Sequence, residues 1–326
     1  MDATTSQKKR SPRGWLSLGA VVVATLSSVS LSYFGLIERP SRGADVSTPR
    51  PVLAGKSAAP ALPAALTVER LDGRVEIAGP GDAAFRPARA GERLAPDTRL
   101  RTADRGSVTL RGDDGLRLSL LGGSEARINQ VSRDLSRLAL DRGMLDAEVP
   151  DDASRMVQVD FDGTGAIART RGATFSAISL GGAGPAAKIA HSTVGVSRGA
   201  VVVSARGKEV TIHTGEKVRI TADGLSDVMP IPPTLFNKVT WPAGGPTRQS
   251  TVPVAGETDA DARVRINDRE VAVDGRGRYR ADVPLVEGEN RLRLLVEHVG
   301  QRSVVETSPK IIRKQSTHLE VQRPRW

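Results

Sequence analysis

The sequence predicts an all-β protein held behind a single N-terminal transmembrane helix, and three observations predict it. From Leu66 onward, short apolar runs alternate with polar residues at period two and are broken by Gly- and Asp-rich turns. No long segment of 3.6-residue periodicity interrupts them. Ahead of them, residues 14–37 form 24 consecutive positions without a charge, preceded by Lys8, Lys9, Arg10 and Arg13.

A helix of that length, rising ~1.5 Å per residue, reaches across the ~30 Å hydrocarbon core of a bilayer. The basic cluster before it belongs on the cytoplasmic side. Residues 1–13 are therefore expected as a short cytoplasmic tail, 14–37 as an inner-membrane anchor, and the bulk of the chain in the periplasm. Val21, Val22 and Val23 form the apolar centre of the anchor, while Trp15 at one end and Tyr33 and Phe34 at the other suit the interfacial belts. Ser17, Ser27, Ser28, Ser30 and Ser32 dilute the run. A cleaved signal peptide competes, with Ser28-Val29-Ser30 as a passable cleavage site. The uncharged run continues well past the ~7–15-residue apolar core of such peptides, which favours the uncleaved anchor. The chain has no cysteine, which excludes a lipobox lipoprotein, disulfides and thiolate metal sites.

Residues 38–65 are expected as a linker, with Pro40, Pro49, Pro51, Pro60 and Pro63 spread among Ala, Ser, Gly and Arg. That composition has too little apolar mass for a core and favours an extended polyproline spacer. Residues 66–221 then read as one β domain, a sandwich or solenoid-like stack, large enough to bury its own core. Leu66-Thr67-Val68 and Arg74-Val75-Glu76-Ile77 read as a hairpin through Leu71-Asp72-Gly73; residues 107–120 read as another. Further strands are expected at 126–131, 135–140, 156–161, 174–180, 188–196, 200–204, 209–214 and 217–221. Gly73, Gly143 and Gly199 are each expected as turns that open a strand.

The net charge is +10, from 47 basic and 37 acidic residues. Residues 1–65 hold 8 basic and 3 acidic groups (+5), 66–221 hold 23 and 20 (+3), and 222–326 hold 16 and 14 (+2). Half of the excess thus lies on the N-terminal arm, where membrane topology accounts for it. Aromatic residues make up only 3% of the chain, leaving few rings for base stacking, so no nucleic acid is expected as a partner.

An ordered series of motifs runs through 66–221: Leu71-Asp72-Gly73-Arg74-Val75, Ala90-Gly91-Glu92-Arg93-Leu94, Gly106-Ser107-Val108-Thr109-Leu110 and Leu140-Asp141-Arg142-Gly143-Met144-Leu145. Arg171-Gly172-Ala173-Thr174-Phe175 and Thr214-Gly215-Glu216-Lys217-Val218 complete it. The series resembles the FecR domain, and on that likeness Gly73, Gly91, Gly143, Gly172, Phe175 and Gly215 are the structural motif positions. The resemblance implies an extracytoplasmic, non-enzymatic β domain of a single-pass envelope protein from a Gram-negative bacterium. Family members that regulate sigma factors carry a cytoplasmic domain before the membrane helix, where thirteen residues are present here. Members that cleave themselves do so at a Gly-Thr bond; the matching step here is Gly172-Ala173, and alanine offers no nucleophile.

Residues 222–249 are expected as a second linker, marked by Pro230-Ile231-Pro232-Pro233 and Trp241-Pro242. In 250–307, Val264, Ile266, Val271 and Val273 alternate around Asn267-Asp268, and Tyr279, Ala281 and Val283 continue the pattern. This segment resembles a small bacterial immunoglobulin-like sandwich, with Gly288-Glu289-Asn290 setting the turn into a late strand. Residues 308–326 form a basic C-terminal tail.

The sequence offers no catalytic set, cofactor motif or metal motif. His191, His213, His298 and His318 are isolated from one another. Asp113-Asp114 and Asp151-Asp152 stand at Gly- or Pro-marked turns, where aspartate caps backbone, and Arg111-Gly112-Asp113 reads as a hairpin turn. The expectation is a membrane-anchored periplasmic scaffold, not an enzyme, that binds an envelope protein or peptidoglycan at a strand edge and takes no small-molecule substrate. The alternative is a FecR-type transmembrane signalling protein that regulates a sigma factor through a partner.

Overall fold

The computed structural model describes residues 65–151, 155–181 and 191–314 of the 326-residue chain. The described chain opens with β1 (Leu66–Asp72), β2 (Val75–Ala78), β3 (Arg86–Pro87), β4 (Arg93–Leu94) and β5 (Thr98–Thr102). Next come β6 (Ser107–Gly112), β7 (Arg117–Leu120), β8 (Glu125–Val131) and β9 (Leu135–Val149). They are followed by β10 (Met156–Phe161), β11 (Ala166–Thr170), β12 (Ala173–Leu180) and β13 (His191–Ala205). Finally β14 (Lys208–His213), β15 (Glu216–Thr221), β16 (Gly224–Leu225) and β17 (Met229–Pro230) complete this part.

These strands form two layers over one core. The first layer runs β4-β1-β6-β7-β9-β12-β13-β15, with β16 and β17 on the outer edge of β15. The second runs β3-β2-β5-β8-β9-β10-β11-β13-β14, antiparallel except for the β9–β10 pair. Alternation places one side chain in two in the core: Leu118 and Leu120 from β7, Ala126 and Ile128 from β8, Val157 and Val159 from β10, with Phe161 and Phe175 as the large fillers.

β9 and β13 belong to both layers. The sequence reads Gly143 and Gly199 as turns between separate strands; instead each marks where one 15-residue strand bends from one layer into the other. Gly143 lies at φ 98°, and a Cβ there would stand 2.5 Å from Ser124 Cα. The bend requires both the left-handed backbone and the missing side chain. Gly73 departs from expectation in the opposite way. β1 pairs with β4 and β6, whereas β2 pairs with β3 and β5, so the step between them is a corner joining the layers and not a hairpin. The 107–120 hairpin is as expected, with Val108 opposite Leu120 and Leu110 opposite Leu118.

A second sandwich follows, built from β18 (Asn237–Thr240), β19 (Gly245–Thr247), β20 (Thr251–Thr258), β21 (Arg263–Ile266) and β22 (Arg269–Val271). It continues with β23 (Arg278–Pro284), β24 (Gly288–Asn290), β25 (Arg293–His298), β26 (Arg302–Thr307) and β27 (Ile311–Arg313). The sheets are β18-β20-β23, β19-β27-β24 and β22-β21-β25-β26. Val252, Val254, Val264, Ile266, Leu294 and Val296 are among the residues that fill its core. Asn267 and Asp268 both take left-handed conformations (φ 47° and 67°), as a tight two-residue hairpin between β21 and β22 demands. Gly288-Glu289-Asn290 is not a turn but strand β24, paired with β27, and the Asn290 amide ties down Val286 and Gly288.

The fold class is corrected at its N-terminal element. Among the described residues the structure is all-β, and no helix is long and apolar enough to cross a membrane. The expected anchor over 14–37, with Trp15, Val21, Val22, Val23, Tyr33 and Phe34, lies outside the described residues. A spanning helix needs about 20 predominantly apolar residues, and five serines interrupt this run.

Candidate functional site

Alternation is lost along one extended stretch of the first sandwich. β12 and the first half of β13 are buried on both faces: Phe175, Ala177 and Val194 point into the core, while Ser176, Ile178 and Thr193 are equally buried on the outer side. The outer face is covered by the second sandwich. Strand registers set two rows across this face, Ser119-Asp146-Ser176-Gly195-Lys217 and Met144-Ile178-Thr193-Arg219. Val299, at the tip of the β25–β26 hairpin, packs on Met144 and Ile178, with Leu121, Leu180 and Ile231 around them. Gly195 makes room for it, since a Cβ there would lie 2.6 Å from Val299 Cγ2.

Charged groups flank this apolar contact. Arg263, 1% exposed, donates from Nη1 to Gly122 O (2.8 Å) and from Nη2 to Gly123 O (3.0 Å), with Glu270 and Glu297 as its acidic partners. Arg265 donates to Asp104 O (2.5 Å) and to Glu297 Oε1 (3.2 Å). Arg105 reaches back across the seam to Asp268 at 2.6 Å. These contacts use carbonyls at the turns before β6 and β8 that no strand partner could satisfy. A cleft of about 420 Å³ opens beside them, lined by Arg105, Leu121, Arg265, Arg293, Leu295 and Glu297 among others. Its three arginines are already paired, Arg105 and Arg293 to Asp268 and Arg265 to Glu297.

On the other flank, Lys217 Nζ contacts Asp261 Oδ2 at 2.9 Å and His298 Nε2 at 3.0 Å, and Arg219 shares the same aspartate at 3.3 Å. His298 is fully buried, and its Nδ1 lies 3.0 Å from Val299 O. Both ring nitrogens are therefore engaged, Nε2 across the seam and Nδ1 within its own hairpin.

Asp146 faces this seam from β9. Burial, first of all, pushes its carboxyl above the ordinary aspartate range; a hydrogen bond from Ser176 opposes this, and Glu297 adds to it. Its Oδ1 is buried without a partner. A carboxyl whose folded value is raised contributes stability at low pH and loses it as pH rises through the folded value. Asp146→Asn is therefore expected to stabilise the protein by about 1 kcal/mol at pH 8, with the gain vanishing by about pH 3, below the unfolded value. Urea melts at both pH values check this, and an equal gain at both would contradict it.

The motif positions expected from sequence are not gathered into a site. Gly73, Gly91 and Gly215 occupy left-handed turn positions, Gly143 the bend of β9, and Phe175 the core. Gly172 packs against Asp151, where a Cβ would meet Asp151 Cα at 2.9 Å. Of the four histidines, His191 and His298 are buried, His213 is exposed, and His318 lies outside the described residues. Among the described residues, no group of three or more His, Asp or Glu is placed to hold a metal ion. Sequence reasoning missed Lys217, Asp261, Arg263, Arg265, Glu297 and His298. Arg263 and Arg265 alternate with Val264 and Ile266, a pattern that reads as a solvent face.

No family model matches the chain, and no curated protein matches it. Two crystal structures of a protein described as a candidate anti-sigma factor from Parabacteroides distasonis, at 1.65 and 2.50 Å resolution, are similar to it with 16% identity and a TM-score of 0.33. The match covers 40% of this chain and 57% of that one. A polysaccharide lyase structure is similar with 10% identity and a TM-score of 0.20, covering 74% of this chain and 40% of the lyase. Both likenesses are too slight to bear on function.

Proposed function

We propose that this chain is a scaffold of the cell envelope that binds an extended segment of another envelope protein along an open strand edge and performs no chemistry on it. One observation carries the reading. β18 and β26 are edge strands of two facing sheets, and they lie on the same side of the second sandwich, joined by Asn237 Nδ2 donating to Glu306 Oε1 at 2.6 Å. Two of the large exposed hydrophobic residues lie here, Phe236 at 52% and Val305 at 53%. An edge strand offers backbone donors and acceptors to an incoming strand, and exposed apolar side chains beside it supply pockets or anchors.

Signalling to a sigma factor through a partner is the alternative that the FecR resemblance implies. The test is crosslinking of the purified chain in envelope extract, beside the double variant Phe236→Lys, Val305→Lys. One protein crosslinked stoichiometrically to the parent and lost from an equally stable variant is the expected result, and its identity separates scaffold from signalling. Equal crosslinking by both chains, or none by the parent, overturns the reading.

A further inference from the structure

We propose that the seam between the two sandwiches is a latch released by acid, in which protonation of His298 frees the β25–β26 hairpin from the outer face of the first sandwich. This goes beyond the binding role and does not depend on it.

The geometry fixes one tautomer. Val299 O can only accept, so Nδ1 carries the hydrogen at 3.0 Å from it. Lys217 is an ammonium that can only donate, so Nε2 accepts at 3.0 Å. Only the neutral ring satisfies both contacts. A proton on Nε2 removes the acceptor and sets two cations face to face inside a buried seam. Nearby charge does not relieve this fully. Asp261 is already shared by Lys217 and Arg219, and Asp259 is the other acidic group acting on the ring. Across the hairpin, Arg302 stands opposite His298 and donates to Pro233 O, adding a further cation to the neighbourhood. Glu297, next in sequence, is committed to Arg263 and Arg265.

Burial, and after it the Lys217 charge, hold His298 below the ordinary histidine value of 6.5. The unfolded or opened chain takes up the proton first, so the neutral latch contributes its full stability above about pH 6.5 and loses it as pH falls toward the lower folded value. The residue after the titrating ring is Val299, the side chain that plugs Gly195, Met144 and Ile178. Release of this hairpin therefore uncovers apolar surface on both sides.

The experiment is hydroxyl-radical footprinting of the full chain read by mass spectrometry at pH 7.5, 6.5, 5.5 and 5.0. Met144 and Ile178, which Val299 covers, are expected to lose protection by up to tenfold per pH unit through the histidine range, the limit for a one-proton opening. Leu118 and Leu120 of the first core should keep theirs. His298→Gln, whose amide oxygen can accept from Lys217 without titrating, should hold the seam protected at every pH. Should that variant already be open at pH 7.5, Lys217→Met serves instead, and its opening should move to lower pH because the ring then faces Asp261 without the competing ammonium. Protection unchanged in the parent down to pH 5.0, or opening of a closed His298→Gln at the parent's pH, overturns the proposal. If His298→Gln is open at pH 7.5, unshifted opening of Lys217→Met overturns it too.

Discussion

Arg263→Met is expected to destabilise the folded chain by about 3–5 kcal/mol, the range for removing one partner from a buried charge cluster. Methionine matches the bulk of the stem but leaves the carbonyls of Gly122 and Gly123 without donors and removes one cation from Glu297. The contact with Glu270 counts for little in this sum, since that side chain is 41% exposed. Arg263→Lys should recover only part of the loss, because a single ammonium cannot reproduce the guanidinium fork across two carbonyls and two carboxylates. Urea melts of the three chains measure it. A loss below about 1 kcal/mol for the methionine variant would mean that the seam is not held as described.

Gly143→Ala is the second large effect. The residue lies at φ 98°, which costs an alanine about 1–2 kcal/mol, and the new Cβ would meet the Ser124 backbone at 2.5 Å, adding about 1–3 kcal/mol of overpacking. Gly215→Ala is the control, with φ 83° but open space around the added atom. It should cost only the conformational part. The two losses measured side by side decide the matter, and an alanine at 143 no worse than one at 215 would show that β9 does not need the close approach to bend between layers.

Much of the all-β architecture was legible in the sequence. Alternation located β7, β8, β10, β12 and β15 closely, and Asn267-Asp268 announced its hairpin, because a period of two and a left-handed dipeptide are local physical requirements. Glycine was less legible. Gly73, Gly143 and Gly199 share the same turn chemistry in sequence, yet one is a corner and two are bends within continuous strands. The backbone angle is local, but which strand pairs on either side is not. The seam was almost invisible. Arg263 and Arg265 look like solvent-facing residues of a half-buried strand, Lys217 like an isolated charge and His298 like an isolated ring, since the groups they meet across the seam stand tens of residues away in the chain.

By itself, the sequence determined that the chain folds as β-strands, where most of those strands lie, and which side chains can reach a core, because each of these depends on neighbours within a few residues. Tertiary structure alone decided that the outer face of β12 and β13 is covered, that two arginines cap the turns of another sandwich, and that a lone histidine sits against a lysine 81 residues away. Those outcomes depend on which surfaces meet. Burial turns ordinary surface charges into groups that must find partners, and no local pattern records which partner they find.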